Sequence, residues 1–181
     1  MNIYQTIRKL DVANGPGCRV SIFVSGCRNN CKGCFNKEAQ SFSFGAPLDD
    51  KLTNEIMTDL KDPYIEGLSI LGGEPMEPEN QAGLLPLVER VRKELPNKTI
   101  WLWTGYLYPY MPINNGHWPF GKMIPFINGT TDKLLKMIDV VVDGPFVEEL
   151  KDISLQFRGS SNQRILYLQK DSLEIASIVS K

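Results

Sequence analysis

Five short runs rich in β-branched and aromatic residues, most of them separated by amphipathic stretches, constrain this chain more than any other feature. The runs occupy residues 19–24, 68–71, 99–103, 140–142 and 164–168. Strands that alternate with helices build a parallel sheet, because each parallel connection needs a crossover that a helix supplies. Asp49 and Asp50 can cap the first turn of one such helix, in which Leu52, Ile56 and Leu60 recur every fourth residue to form an inward stripe. A second helix carries Leu84, Leu87, Val88, Val91 and Leu95 on one face and stops at Leu95-Pro96-Asn97, where proline forbids continuation. A shorter one begins near Thr130 and Thr131, with Leu134, Leu135 and Ile138 facing in. A complete eight-unit barrel takes ~250 residues. With 181 residues, the expectation is an α/β fold: an incomplete, open β/α barrel with parallel strands, in a single domain over residues 1–181. Its reactive end should lie at the carboxyl ends of the strands.

Three of the four cysteines are packed into Cys27-Arg28-Asn29-Asn30-Cys31-Lys32-Gly33-Cys34. Iron–sulfur clusters are held by cysteine thiolates, usually four, so a cubane tied by three leaves one iron free to bind a small molecule. A zinc knot with Cys18 as fourth ligand is the alternative; structural zinc, however, favours cysteine pairs repeated across a longer spacer, and no second pair exists here. Disulfides suit neither so few cysteines nor a chain that opens without an apolar leader, so reduced thiols in a cytoplasm are expected. Cys18 sits at the start of the first run, at the far end from the cysteine loop, and reads as a small buried hydrophobe.

Composition narrows the function classes. Apolar residues make up 42%, ample for one core, and the net charge is -1 with Lys and Arg dispersed, which leaves no electrostatic footprint for direct nucleic-acid binding. No apolar run approaches the ~20 residues needed to cross a bilayer. Each motif falls just past a run. Val24 precedes the cysteine loop, Leu71 precedes Gly72-Gly73-Glu74-Pro75, Trp103 precedes Thr104-Gly105-Tyr106, and Val142 precedes Asp143-Gly144-Pro145. The two glycines of the second motif would let backbone groups approach a ligand, or would simply end a strand.

These residues resemble the radical S-adenosylmethionine (SAM) enzymes, whose hallmarks are CxxxCxxC after the first barrel strand and a GGE-type loop after the second. More narrowly, Asn14-Gly15-Pro16-Gly17, Gly26-Cys27 through Cys34-Phe35-Asn36, Gly72 to Pro75, Trp103 to Tyr106, Asp143-Gly144 and Arg158 to Gln163 are similar to the glycyl-radical activating branch that serves anaerobic ribonucleoside-triphosphate reductases. The resemblance covers most of the chain. It implies a 4Fe-4S cluster on Cys27, Cys31 and Cys34, the open iron chelated by the amino and carboxylate groups of SAM. It also implies Gly72, Gly73 and Glu74 along the methionyl part of SAM, and the backbone of Gly33, Cys34 and Phe35 near its adenine. Where many radical SAM enzymes carry an aromatic residue before the third cysteine, this chain has Gly33. An electron from a low-potential donor would split SAM into methionine and a 5'-deoxyadenosyl radical. That radical would take hydrogen from a glycine of the partner, the large subunit of the reductase. The resemblance leaves room for a homodimer. An activase for another glycyl-radical enzyme, such as pyruvate formate-lyase, or a zinc-stapled interaction module without catalysis, are the competing readings.

Four features stay open at the level of sequence. Residues 106–129 combine four prolines with Tyr108, Tyr110, Trp118, Phe120 and Phe126, which suits a docking or covering surface as well as an aromatic plug. His117, the sole histidine, reads as a surface or packing residue. Residues 158–163 form a donor-rich turn or a partner contact. Asp143 could meet SAM or substrate backbone, or could be a turn aspartate.

Overall fold

A computed structural model describes residues 1–34, 36–110, 121–124 and 127–180, the side chains of residues 7–10 excepted. Among the described residues eight strands form one open mixed sheet: β1 (Asn2–Asp11), β2 (Cys18–Val24), β3 (Ala46–Pro47), β4 (Ile65–Gly72), β5 (Thr99–Trp103), β6 (Val140–Asp143), β7 (Arg164–Leu168) and β8 (Ile175–Val179). Their spatial order is β3-β1-β2-β4-β5-β6-β7-β8. The centre, β2-β4-β5-β6, is parallel, and its three crossovers run through α1 (Asp50–Leu60), α2 (Pro78–Glu94) and α3 (Gly129–Lys136).

Local chemistry explains where the helices start. The Asp49 carboxylate accepts the Leu52 N–H at 2.8 Å, so Asp49 is the cap of α1. Asn128 caps α3, accepting from Thr130 N–H at 2.8 Å and Thr131 N–H at 3.2 Å, while its own N–H reaches Thr131 Oγ1 at 3.3 Å. Period-two alternation then divides the sheet into two faces. Val20, Ile22, Val24, Leu68, Ile70, Ile100, Leu102 and Val141 pack with Ile56, Leu60, Leu84, Val88, Val91, Leu134 and Leu135 in the helix-side core. The opposite face carries Trp101, Val140, Val142 and Ile165, with Trp103 and Phe157 against them.

The all-parallel expectation holds for four strands and fails at the margins. β7, expected as a fifth parallel strand, pairs antiparallel with β6 in the register Asp143↔Arg164, and β8 continues antiparallel. The chain between β6 and β7 has a 3-10 turn at Glu148–Leu150 as its one helical element and crosses the face opposite the helices, the inner face, where Phe157 O accepts the Trp103 Nε1–H at 2.9 Å. Without a crossover helix, β7 returns antiparallel. β1, β3 and β8 lie outside the five runs. In β1 the polar Gln5, Thr6, Arg8 and Lys9 interrupt apolar alternation, and the strand exists because β2 supplies its ladder.

Candidate functional site

The carboxyl ends of β2, β4, β5 and β6 surround a cavity of about 480 Å³ on the inner face, within the range of small-molecule sites. Tyr4, Phe23, Leu71, Trp103 and Phe146 supply apolar walls, and Cys27, Cys31, Gly33, Cys34, Gly72, Gly73 and Glu74 line it as well. Sequence and structure therefore bring every expected site residue to one cavity, Phe35 excepted, which lies outside the described residues together with His117, Trp118, Phe120 and Phe126. A wider depression of about 580 Å³ along the outer side of α1, at Lys51, Asn54 and Glu55, contains no cysteine.

Two loops from adjacent strands make the floor. The Gly73 N–H donates to Val24 O at 2.6 Å and the Glu74 N–H to Gly26 O at 2.9 Å. A Cβ on Gly72, whose φ is +114°, would stand 2.5 Å from the backbone N and O of Val24; one on Gly73 would stand 2.6 Å from Gly26 O. The close approach these glycines permit is thus first of all chain to chain. Gly33, at φ +73°, turns the cysteine loop at its far end, where a Cβ would meet the Glu148 carboxyl carbon at 3.2 Å. Lys32 reaches across to Glu149 at 3.0 Å.

The Glu74 carboxylate is fully buried and accepts four hydrogen bonds. Met76 N–H (2.9 Å) and the Thr104 hydroxyl (2.6 Å) reach Oε1; Asn29 Nδ2–H (2.8 Å) and Gly105 N–H (2.8 Å) reach Oε2. Burial pushes its pKa up to about 7, while these donors favour the ionised form. It knots together the loops after β2, β4 and β5. Two residues that sequence reasoning missed sit beside it. Glu77, buried, accepts from Arg28 N–H at 2.8 Å, from the Arg28 guanidinium at 2.6 Å and from the Tyr106 hydroxyl at 3.0 Å. Asn80, buried in the first turn of α2, donates to Ser25 O, Gly26 O and Glu74 O. Polar residues at a helix start read as ordinary capping, so nothing local in the sequence announces that these side chains face the cysteine loop.

The remaining sequence-level alternatives sort by their contacts. Asp143 is buried against the Arg164 guanidinium, with Nε at 2.8 Å from Oδ1, and accepts the Tyr108 N–H at 2.8 Å, so its carboxylate is engaged within the fold. Several polar groups of the turn at 158–163 are engaged within the fold: the Gln163 side chain donates to Gly144 O at 3.0 Å and accepts Gly159 N–H at 2.9 Å, and Asn162 Nδ2–H donates to Pro145 O at 2.8 Å. Tyr106 and Tyr108 join the helix-side core, as an aromatic plug would. Cys18 packs against that same core and does not line the cavity, which deprives a zinc knot of its fourth sulfur.

All four cysteines are free thiols. Burial pushes the Cys27 thiol up to about 12 and raises Cys31 as well, so both are neutral at pH 7 and must lose protons to become ligands. Among the described residues no three His, Cys, Asp or Glu side chains are drawn together at metal-holding distance. The three loop thiols nevertheless face one partly apolar cavity, and three thiols without histidine suit iron–sulfur ligation.

A family profile described as a 4Fe-4S single cluster domain matches residues 13–166. The chain is also similar to proteins named anaerobic ribonucleoside-triphosphate reductase-activating protein. The Vibrio cholerae serotype O1 protein is 42% identical over 164 residues, covering 90% of this chain and 96% of the relative. The Escherichia coli K12 protein is 39% identical over 168 residues, 92% and 99% respectively. That of Enterobacteria phage T4 is 35% identical over 162 residues, 90% and 92%. The chain belongs to this family of reductase-activating proteins. As a member it carries a 4Fe-4S domain, and the matched span contains the whole cysteine loop, the glycine loop and Asp143. Among the described residues no helix is long and apolar enough to cross a membrane.

Proposed function

We propose that this protein activates an anaerobic ribonucleoside-triphosphate reductase by cleaving SAM at a 4Fe-4S cluster and leaving a glycyl radical on the reductase large subunit. The observation that carries the reading is one cavity into which three clustered thiols and the Gly72-Gly73-Glu74 loop both face. Cys27, Cys31 and Cys34 would hold the cluster, Gly72 to Glu74 would run along the methionyl part of SAM, and Gly33, Cys34 and Phe35 would border the adenine. When bound, and reduced by a low-potential donor, the cluster supplies the electron that divides SAM into methionine and a 5'-deoxyadenosyl radical, which takes hydrogen from the partner glycine.

The chain's own residues position and shield. Phe23, Leu71, Trp103 and Phe146 keep the cavity partly apolar, which limits quenching of a reactive species by water. Glu74 holds the three surrounding loops through its four hydrogen bonds. The parallel centre β2-β4-β5-β6 would be the partial radical SAM barrel, in one cytoplasmic domain, its unclosed margin admitting a loop of the partner. Relatives that carry the reductase-activating name over about nine tenths of this chain favour that target over pyruvate formate-lyase.

Electron paramagnetic resonance of an anaerobic mixture with a candidate reductase, SAM and reductant tests the reading. A doublet from a carbon-centred glycyl radical is expected, and it should vanish with Cys31→Ala while the variant stays folded. Anoxically reconstituted protein that holds no iron–sulfur core, or holds one that leaves SAM intact, overturns it.

A further inference from the structure

The function proposed above, on which this inference rests, needs the cysteine loop and the glycine loop at a set separation, because one would hold iron and the other the methionyl end of SAM. Two backbone bonds join them directly, from Gly73 N–H to Val24 O and from Glu74 N–H to Gly26 O. A third element grips both. Asn80, 1% exposed, donates from Nδ2 to Ser25 O at 3.0 Å, Gly26 O at 3.2 Å and Glu74 O at 2.9 Å. An amide nitrogen has two hydrogens, so three carbonyls from two loops share them. On the same turn Glu77 accepts the Arg28 N–H at 2.8 Å. The start of α2 therefore offers a donor where the cysteine loop presents carbonyls and an acceptor where it presents an N–H.

We propose that Asn80 is a positioning residue, whose buried amide sets the spacing of the two loops and through it the affinity for SAM, without holding the cluster. Its acceptors are Ser25, Gly26 and Glu74, none of them a cysteine. Loss of the amide takes from Ser25 O its side-chain donor and leaves Gly26 O with the Glu74 N–H and Glu74 O with the Glu77 N–H alone, and the glycines at 26, 72 and 73 have no side chains to keep the loops in register. A displacement of about 1 Å between reacting groups can cost on the order of a hundredfold.

The test uses full-length protein reconstituted with iron and sulfide, comparing wild type with Asn80→Ala and Asn80→Ser. Iron and sulfide per chain should match wild type, and the melting temperature should stay within the range where the chain is folded at the assay temperature. The SAM dissociation constant, read from the change SAM causes in the spectrum of the reduced cluster, should rise about 10- to 100-fold, as for other supporting residues around metal sites. In uncoupled SAM cleavage, KM should rise by more than kcat falls. Serine should also weaken SAM binding, because one hydroxyl hydrogen cannot serve three carbonyls; if alanine prevents folding, serine alone decides by the same criteria. Wild-type SAM affinity in a folded, fully loaded variant overturns the assignment, as does iron loss in step with affinity. A wild type that carries the cluster yet ignores SAM overturns instead the function itself.

Discussion

Two fully buried carboxylates stand at the carboxyl ends of parallel strands, and they are satisfied in opposite ways. Asp143, closing β6, meets the Arg164 guanidinium directly across the β6–β7 ladder. Glu74, just past β4, has four neutral partners drawn from three loops. The first is a cation-matched bolt between two strands; the second is a knot of backbone, hydroxyl and amide donors that leaves its charge beside the cavity. Only the second touches the loops on which the proposed chemistry depends. A buried acid is therefore no guide to function by itself; the identity of its partners separates the two.

Removing the cation should produce the largest effect. Arg164→Met takes from Asp143 its ion-pair partner, and breaking a buried pair from one side costs about 3–5 kcal/mol. Denaturant unfolding should show that loss, with SAM binding intact in the fraction that remains folded. Glu74→Gln comes next: its amide hydrogens would face groups that are already donors, for about 1–3 kcal/mol. Here, unlike at Arg164, SAM affinity should fall together with stability.

The pH response separates the two acids more finely. Burial raises the Glu74 pKa to about 7, above the ordinary value of about 4.3, so the folded state binds more protons than the unfolded state between those values. Its contribution is fully present below about pH 4.3 and is lost as pH rises toward 7. Subtracting the unfolding free energy of Glu74→Gln from that of wild type at each pH should yield a difference that declines across this window. A flat difference would mean the four donors outweigh burial. The smallest effect belongs to Lys32→Ala. Its ion pair with Glu149 is exposed, and such pairs are weak, so the melting temperature should not move measurably.

Much of the site was legible because its chemistry is local. The spacing of Cys27, Cys31 and Cys34 and the position of each motif just past an apolar run carry over directly to one cavity. Capping by Asp49 was equally readable, since cap and recipient are three residues apart. The glycines were legible in place but not in role: Gly72 and Gly73 make room first for the backbone of Val24 and Gly26. Glu77, Asn80 and Arg28 went unread because their partners lie on another loop, about fifty residues away for Glu77 and Arg28.

Short-range patterning determined the strand–helix alternation, the buried stripes of α1 and α2, and the triplet of thiols, because propensity, capping and ligand spacing act within a few residues. Tertiary structure alone decided that β7 runs antiparallel, that Arg164 neutralises Asp143, and that the first turn of α2 grips the cysteine loop. Strand direction depends on the path of the intervening chain, and a buried polar group takes whichever partner folding brings within reach; neither is encoded in any one stretch of residues.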